Sequence, residues 1–417
     1  TISNYKNIIF RKYILSSKKF NEVSCIDILK SFFLLGLTSF GGPIAHIGFF
    51  RNTFVKEKKW LDDDTYMEFV SLCNFLPGPS SSQVGMSIGY YFKGVKGALL
   101  AWVGFTIPSA LILMLFGYFI ISFDDVIPIG IIQGLKAVVV IIVLQAILGM
   151  QKNFLKDFFS YFIALATALV LILFPSSLNQ FSCLLISGLL GIYFYRNDRL
   201  LEKSTNKTLN IPLSSYVSLL VFFLLLFSLP IISSVFETQL ISLANIFFKI
   251  GSLVFGGGHV VLPLLQEELV SNGLIEKDIF LAGYGASQAI PGPLFTFSSY
   301  LGMFLANENH FLLTSVLCLV FIFLPSLLLI IGTLPLWSRI RRINKVIHAL
   351  KGVNASVIGL LIAAFYDPII LSSFRGMSDI ILILIAFIIL FFTKISQWIA
   401  VLILIFCGFI FSVTSFA

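Results

Sequence analysis

Long apolar runs separated by short polar intervals set the pattern of this chain. VVVIIVLQAIL, LLVFFLLLFSL, ILILIAFIILFF and WIAVLILIFCGFIF are examples. They do not alternate apolar with polar residues as barrel strands do. Each is long enough, or nearly so, to cross a hydrocarbon core of about 30 Å as a helix. Thirteen segments are read this way, at 27-50, 66-92, 97-121, 126-150, 158-174, 181-195, 212-233, 240-265, 280-306, 311-334, 343-366, 377-393 and 396-416. The expected fold is an all-α polytopic membrane protein.

The first six segments resemble the last six. FFLLGLTSFGG (32-42) matches FFKIGSLVFGG (247-257), and NFLPGP (74-79) matches QAIPGP (288-293). TIPSALIL (106-113) matches FLPSLLLI (323-330), and GLKAV (134-138) matches ALKGV (349-353). Four ordered matches at a nearly constant offset, each carrying Gly, Pro or Lys, indicate an internal repeat. A single connecting segment, 212-233, follows an even set of six and flips the second copy. The expected organisation is a cytoplasmic segment 1-24, a first transport repeat 25-200, a linker with a connecting helix 201-235, and a second, inverted repeat 236-417. Inverted repeats with broken or re-entrant helices are typical of carriers that alternate access about a midplane site.

Charge sharpens the picture. Only 12% of residues are charged and 58% are hydrophobic, against about 25% charged in soluble domains. The net charge of +8 does not signal nucleic acid, because the lysines and arginines sit in short loops between apolar runs and act as topology signals. Lys56, Lys58, Lys59, Lys152, Lys156, Arg196, Arg339, Arg341 and Arg342 mark the cytoplasmic side. The loop with Glu267, Glu268, Glu276 and Asp278 reads as external, together with FDDVIP and YDPII. The five cysteines are scattered without zinc or redox spacing and read as small buried hydrophobes. The basic first 24 residues lack a cleavable signal pattern. The expected location is the plasma (inner) membrane.

Four of the apolar segments are broken, at Gly41-Gly42-Pro43, Pro77-Gly78-Pro79, Gly256-Gly257-Gly258 and Pro291-Gly292-Pro293. Proline removes a backbone donor and glycine permits positive φ. Irregular backbone at membrane depth must line protein or a wet cavity. A half-helix starting after such a break aims free N–H groups and a positive dipole end at the gap, which suits an anion. Polar residues flank the breaks: Asn74 and Gln288, each three residues before a PGP, then Ser81, Ser82 and Gln83, Thr296 and Ser298, His46 and His259. Each offers hydrogen bonds to an oxygen-rich ligand. The alternative for any one Ser or Thr is a bond to its own helix backbone. Lys136 and Lys351 are repeat equivalents deep in apolar segments, where a lysine needs a cavity or a counter-charge. Neither segment holds a carboxylate partner, so a bound anion is the expected partner; snorkelling is the alternative, stronger for Lys351. No HExxH, Walker A or GxSxG motif is present, and the chain reads as a non-enzyme without cofactor or metal.

The stretches LTSFGGPIAHIGFFRNTFVKEKKWLDDDTYMEFVSLCNFLPGPSSSQVG (37-85) and IGSLVFGGGHVVLPLLQEELV with GYGASQAIPGPLFTFSSYLG (250-302) resemble the chromate ion transporter family. The resemblance runs over roughly residues 27-416 through the paired FGGP/FGGG and PGP motifs. It implies movement of chromate, a tetrahedral dianion like sulfate, across a membrane, usually as efflux giving resistance. The second copy has Gly258 where the first has Pro43, so the two half-sites need not be equal. The expected partners are chromate or a sulfate-like oxyanion and the lipid bilayer, with a homodimer left open. A sulfate or other dianion carrier, or an anion channel on the same scaffold, are the alternative functions.

Overall fold

A computed structural model describes residues 23–123, 129–196, 212–255, 257–306, 310–340, 343–374 and 376–414. Residues 1–22 of the expected N-terminal segment, 201–211 of the expected 201-235 linker and connecting helix, and Gly256 lie outside these. Among the described residues the regular secondary structure is all helical, without a strand.

The first copy comprises α1 (Cys25–Thr38), α2 (Gly42–Phe50), α3 (Asp63–Phe75), α4 (Ser80–Ser122), α5 (Ile129–Phe154), α6 (Phe158–Leu173) and α7 (Ser177–Phe194). A connecting helix α8 (Leu213–Phe236) follows. The second copy comprises α9 (Gln239–Gly251), α10 (Val261–Leu269), α11 (Lys277–Ser287), α12 (Phe297–Phe304), α13 (Phe311–Thr333), α14 (Asn344–Ala364), α15 (Met377–Phe392) and α16 (Gln397–Thr414). Six of the described helices, α4, α5, α7, α8, α13 and α14, are long and apolar enough to cross a membrane.

Local chemistry explains the element ends. Ser24 caps α1 in a reciprocal box with Asp27, and the Asp62 carboxylate accepts from the Thr65 N–H at the start of α3. Such caps satisfy donors that the first helical turn leaves free. α4 is two limbs joined by a tight turn, where Gly94 takes φ 58° and Lys93 leaves the helical region. In the second copy the corresponding limbs are the separate helices α12 and α13, which pack on each other.

Glycines let the helices approach closely. A Cβ on Gly36 of α1 would meet the Phe105 carbonyl of α4 at 2.8 Å, and Gly251 of α9 abuts the Ile322 carbonyl of α13 in the same way. The two copies interlace rather than sit side by side. α5 packs on α16 and α15, and α14 packs on α7 and α6. Gly130 and Gly134 face Gly408 and Leu404, while Gly352 faces Ser187 and Gly191. Hydrogen bonds join the same pairs: Thr167 and Ser356 hydroxyls at 3.0 Å, and Gln145 Nε2 to the Leu390 carbonyl at 2.8 Å. Small residues and polar contacts hold helices together where the solvent is itself apolar. α8 buries little beyond Ser215, Ser218, Phe222 and Leu229, and leaves Leu220 and Phe227 about two-thirds exposed. That face suits lipid.

Candidate functional site

The expected breaks are real interruptions. α1 ends at Thr38 and α2 begins at Gly42; α3 ends at Phe75 and α4 begins at Ser80. In the second copy α9 ends at Gly251 and helical structure resumes at Gly258, while α11 ends at Ser287 and it resumes at Leu294. Each described break carries a glycine at positive φ: Gly41 at 99°, Gly78 at 118°, Gly257 at 147° and Gly292 at 105°. Glycine meets no Cβ penalty in that conformation.

The breaks of one copy are tied to those of the other. The Gly78 N–H donates to the Val254 carbonyl at 2.7 Å, and the Gly292 N–H donates to the Ser39 carbonyl at 2.9 Å. Ser109 and Ser326, from the matching Pro-Ser pairs of α4 and α13, back the two PGP turns. A Cβ on Gly292 would sit 2.7 Å from Ser109 Oγ, and one on Gly78 would press on Ser326 Oγ and lie 2.7 Å from Gln83 Nε2.

Between the breaks lies a cavity of about 630 Å³. Its wall includes the helix starts at Gly42, Ser80, Gly258 and Leu294. Of the residues singled out in the sequence, Gly41, Gly42, Pro43, Asn74, Gly78, Gly257, Gly258, His259, Gln288 and Gly292 line it. Gln288 Nε2 is buried without a hydrogen-bond partner. The described wall contains no Lys, Arg, Asp or Glu. The cavity follows α5 from buried Ile142 to exposed Asn153, about 16 Å at the helical rise. Its mouth is therefore at the Lys152 end of α5.

Other candidates stand elsewhere. Pro77, Pro79, Pro291 and Pro293 shape the turns without appearing in the wall. His46 is buried, with Nδ1 3.3 Å from Ser81 Oγ and Nε2 3.2 Å from the Ser39 carbonyl. Gln83 Nε2 donates to the Pro77 carbonyl at 2.6 Å and to Ser326 Oγ at 3.1 Å, bracing the PGP turn. Thr296 Oγ1 donates to the Pro293 carbonyl, and Ser298 Oγ donates to the Phe295 carbonyl. These two hydroxyls follow the local-backbone alternative. Ser82 Oγ is buried without a partner.

The two lysines need correction. Lys136 is buried, but its Nζ donates to Asp278 Oδ1 at 2.9 Å and to the Ser372 carbonyl at 2.7 Å, and it is not in the wall. Its counter-charge in the structure is a carboxylate of the other copy. Lys351 lies outside the wall as well, with Nζ 4.8 Å from the Tyr195 ring centre. Lys277 Nζ bonds Asp367 Oδ1 at 2.6 Å, so the 266–279 loop and the YDPII stretch, expected on one side, are in contact.

Sequence reasoning missed Gln145, Asn153, Ser287 and Gln397 in the wall. The signal for the first two was available: Gln145, Gly149 and Asn153 recur every four residues, one face of α5.

The elements that form this wall also carry the match to known proteins. The family model described as chromate transporter matches residues 26–192 and 241–410. The chain belongs to the chromate transporter family. Members are transporters, and the chain is a multi-pass membrane transporter rather than an enzyme. It is 28% identical over 351 residues to an uncharacterized transporter of Methanocaldococcus jannaschii, covering 83% of this chain and 85% of that one. It is 27% identical over 353 residues to a chromate transport protein of Pseudomonas aeruginosa, covering 82% and 80%. A chromate transport protein of Cupriavidus metallidurans is 26% identical over 382 residues, covering 89% of each. No solved structure matches this chromate transporter family member.

Proposed function

We propose that this protein is a secondary transporter of chromate or a related tetrahedral dianion, and that the cavity at the four breaks is its substrate site. The observation that carries the reading is the convergence of four helix starts on one cavity whose described wall holds no charged side chain. Each helix N-terminus is equivalent to about half a positive charge. Four of them supply roughly two positive charges, matching a dianion. Asn74 and Gln288 add amide donors from equivalent places in the two repeats, and the unpartnered Gln288 Nε2 is free to donate to an oxyanion. Chromate comes from the names of two relatives; sulfate shares the geometry and charge. We read the repeats as inverted, the membrane as the plasma (inner) membrane and the direction as efflux. The cavity mouth at the Lys152 end supports this, because the positive-inside rule puts that end in the cytoplasm. The described wall comes from a single chain, so a homodimer is not required to complete the site.

Purified protein in proteoliposomes tests the proposal. Labelled chromate should move saturably and be accelerated by chromate on the far side. Flux of sulfate but not chromate would reassign the substrate. Non-saturating conductance would replace the carrier with a channel.

A further inference from the structure

His259 is the only residue in the described cavity wall whose side chain can carry a positive charge. It is the second residue of the short helical turn, Gly258–Val260, that follows the Gly-rich break of the second repeat. Its Nδ1 lies 2.8 Å from the Tyr284 hydroxyl, and its Nε2 has no hydrogen-bond partner among the described residues. His46, which follows the Gly-Gly break of the first repeat two positions further on, is built differently. Both ring nitrogens of His46 face local partners, and it stands outside the wall. Of the two histidines that follow the Gly-rich breaks, only His259 lines the cavity.

The surrounding charges are committed elsewhere. On α10, Glu268 pairs with Lys249 and Glu267 accepts from Ser271 Oγ. On α11, Asp278 pairs with Lys136 and Lys277 with Asp367, which leaves Tyr284 as the titratable group on the ring. α14, which also packs on this turn, carries Lys345, His348 and Lys351, the last over Tyr195. The 294–296 turn carries no titratable side chain. Across the cavity, Cys73 Sγ sits 3.6 Å from Ser87 Oγ. No carboxylate among the described residues is within ion-pair distance of the His259 ring.

We propose that His259 is a proton-binding site linked to the oxyanion: the dianion binds with His259 as the imidazolium. This rests on the oxyanion reading above. The chemistry follows from the ring. A histidine is the side chain whose ordinary titration falls near neutral pH. With a proton on each nitrogen, Nδ1–H donates to the Tyr284 oxygen and Nε2–H points a charged donor at the cavity. A dianion there favours the protonated ring, and by reciprocity the protonated ring favours the dianion. The cavity then takes up a proton with its substrate, and affinity falls as pH rises.

Two measurements test the linkage in purified full-length protein. Equilibrium binding of labelled sulfate, which stays a dianion throughout, is followed from pH 6 to 8.5 alongside labelled chromate. Wild type should lose affinity by up to about tenfold per pH unit across the titration. His259→Gln should bind with little pH dependence, near the weak affinity of wild type at high pH. Proton uptake is then read with an indicator dye in weak buffer at pH 7.5, where both anions are almost wholly dianionic. Wild type should take up protons on binding, and His259→Gln should not. A wild-type slope retained in His259→Gln overturns the assignment, as does anion binding by wild type without proton uptake. If His259→Gln loses binding altogether, proton uptake by wild type still decides. Absence of saturable binding of either anion at every pH defeats the substrate reading and this inference with it, a result distinguishable from loss of the pH slope alone.

Discussion

The Lys136–Asp278 pair makes an asymmetric prediction. The two groups are 2.9 Å apart, with side-chain exposures of 5% for Lys136 and 31% for Asp278. At an effective dielectric of 20 their attraction is roughly 6 kcal/mol before desolvation is subtracted. The consequence of removing one partner depends on which charge is left behind. Asp278→Asn leaves the deeply buried ammonium with neutral acceptors such as the Ser372 carbonyl, and should destabilise by about 3–5 kcal/mol. Lys136→Met leaves a carboxylate that already reaches solvent, and should cost about 1–3 kcal/mol. The double variant removes both charges and should recover most of the Asp278→Asn loss, since an apolar replacement of a buried pair is often neutral. Thermal unfolding of the four proteins in detergent gives the order: wild type and double variant highest, then Lys136→Met, then Asp278→Asn. Chromate transport at a temperature where all are folded supplies the second readout. The double variant should keep its KM. If Asp278→Asn is no worse than Lys136→Met, the pair does not explain the buried lysine. If the folded double variant loses affinity for chromate, the charge of Lys136 acts on the anion after all.

Other consequences follow from the same contacts. Gly78→Ala and Gly292→Ala force a side chain into φ values of 118° and 105°, which costs about 1–3 kcal/mol each before any clash, so both should reduce the monodisperse fraction on size exclusion. Ser109→Gly should partly rescue Gly292→Ala, whose Cβ would sit 2.7 Å from Ser109 Oγ. Gln288→Leu removes a buried amide donor, and loss of one hydrogen bond to a charged ligand is worth about 1.5–3 kcal/mol, so KM for chromate should rise at least tenfold in proteoliposome flux. Gly130→Val should disrupt the close approach of α5 to Gly408 on α16 and lower thermal stability in detergent.

Much of the helix layout could be read from apolar runs, because lipid-facing and core-facing residues alike are apolar in such a chain, although the runs at 66-92 and 97-121 meet in α4 (Ser80–Ser122) and the broken runs each hold two helices. The segment read at 158-174 is α6 at Phe158–Leu173, and 377-393 is α15 at Met377–Phe392. The breaks were legible because Gly and Pro act on their own backbone. The hydroxyls of Thr296 and Ser298 were less so, since each has a nearby backbone carbonyl to donate to and does so here. The Lys136 partner could not be found from its own segment. Asp278 lies 142 residues away in the other copy, and only the interlacing of α5 with the second repeat brings it near. Gln145 hid in the run read as apolar at 126-150 and Asn153 fell just past its end, although their spacing puts them on one face of α5.

The cross-repeat hydrogen bonds explain how broken backbone persists inside an apolar body. A break frees N–H and C=O groups that hydrocarbon cannot satisfy, each at a cost of several kcal/mol. The Gly78 N–H is satisfied by Val254 and the Gly292 N–H by Ser39, so each PGP turn uses the carbonyl that the other repeat's break has released. A donor and an acceptor stranded in separate repeats become one bond. Glycine is required at both turns because Ser326 and Ser109 stand where a Cβ would go. The four helix starts that follow the breaks, at Gly42, Ser80, Gly258 and Leu294, line the cavity beside these bonds. The site is therefore a property of the contact between the repeats. Neither half contains both partners of either bond, and the polar surface of the cavity is what remains after the two halves have satisfied each other.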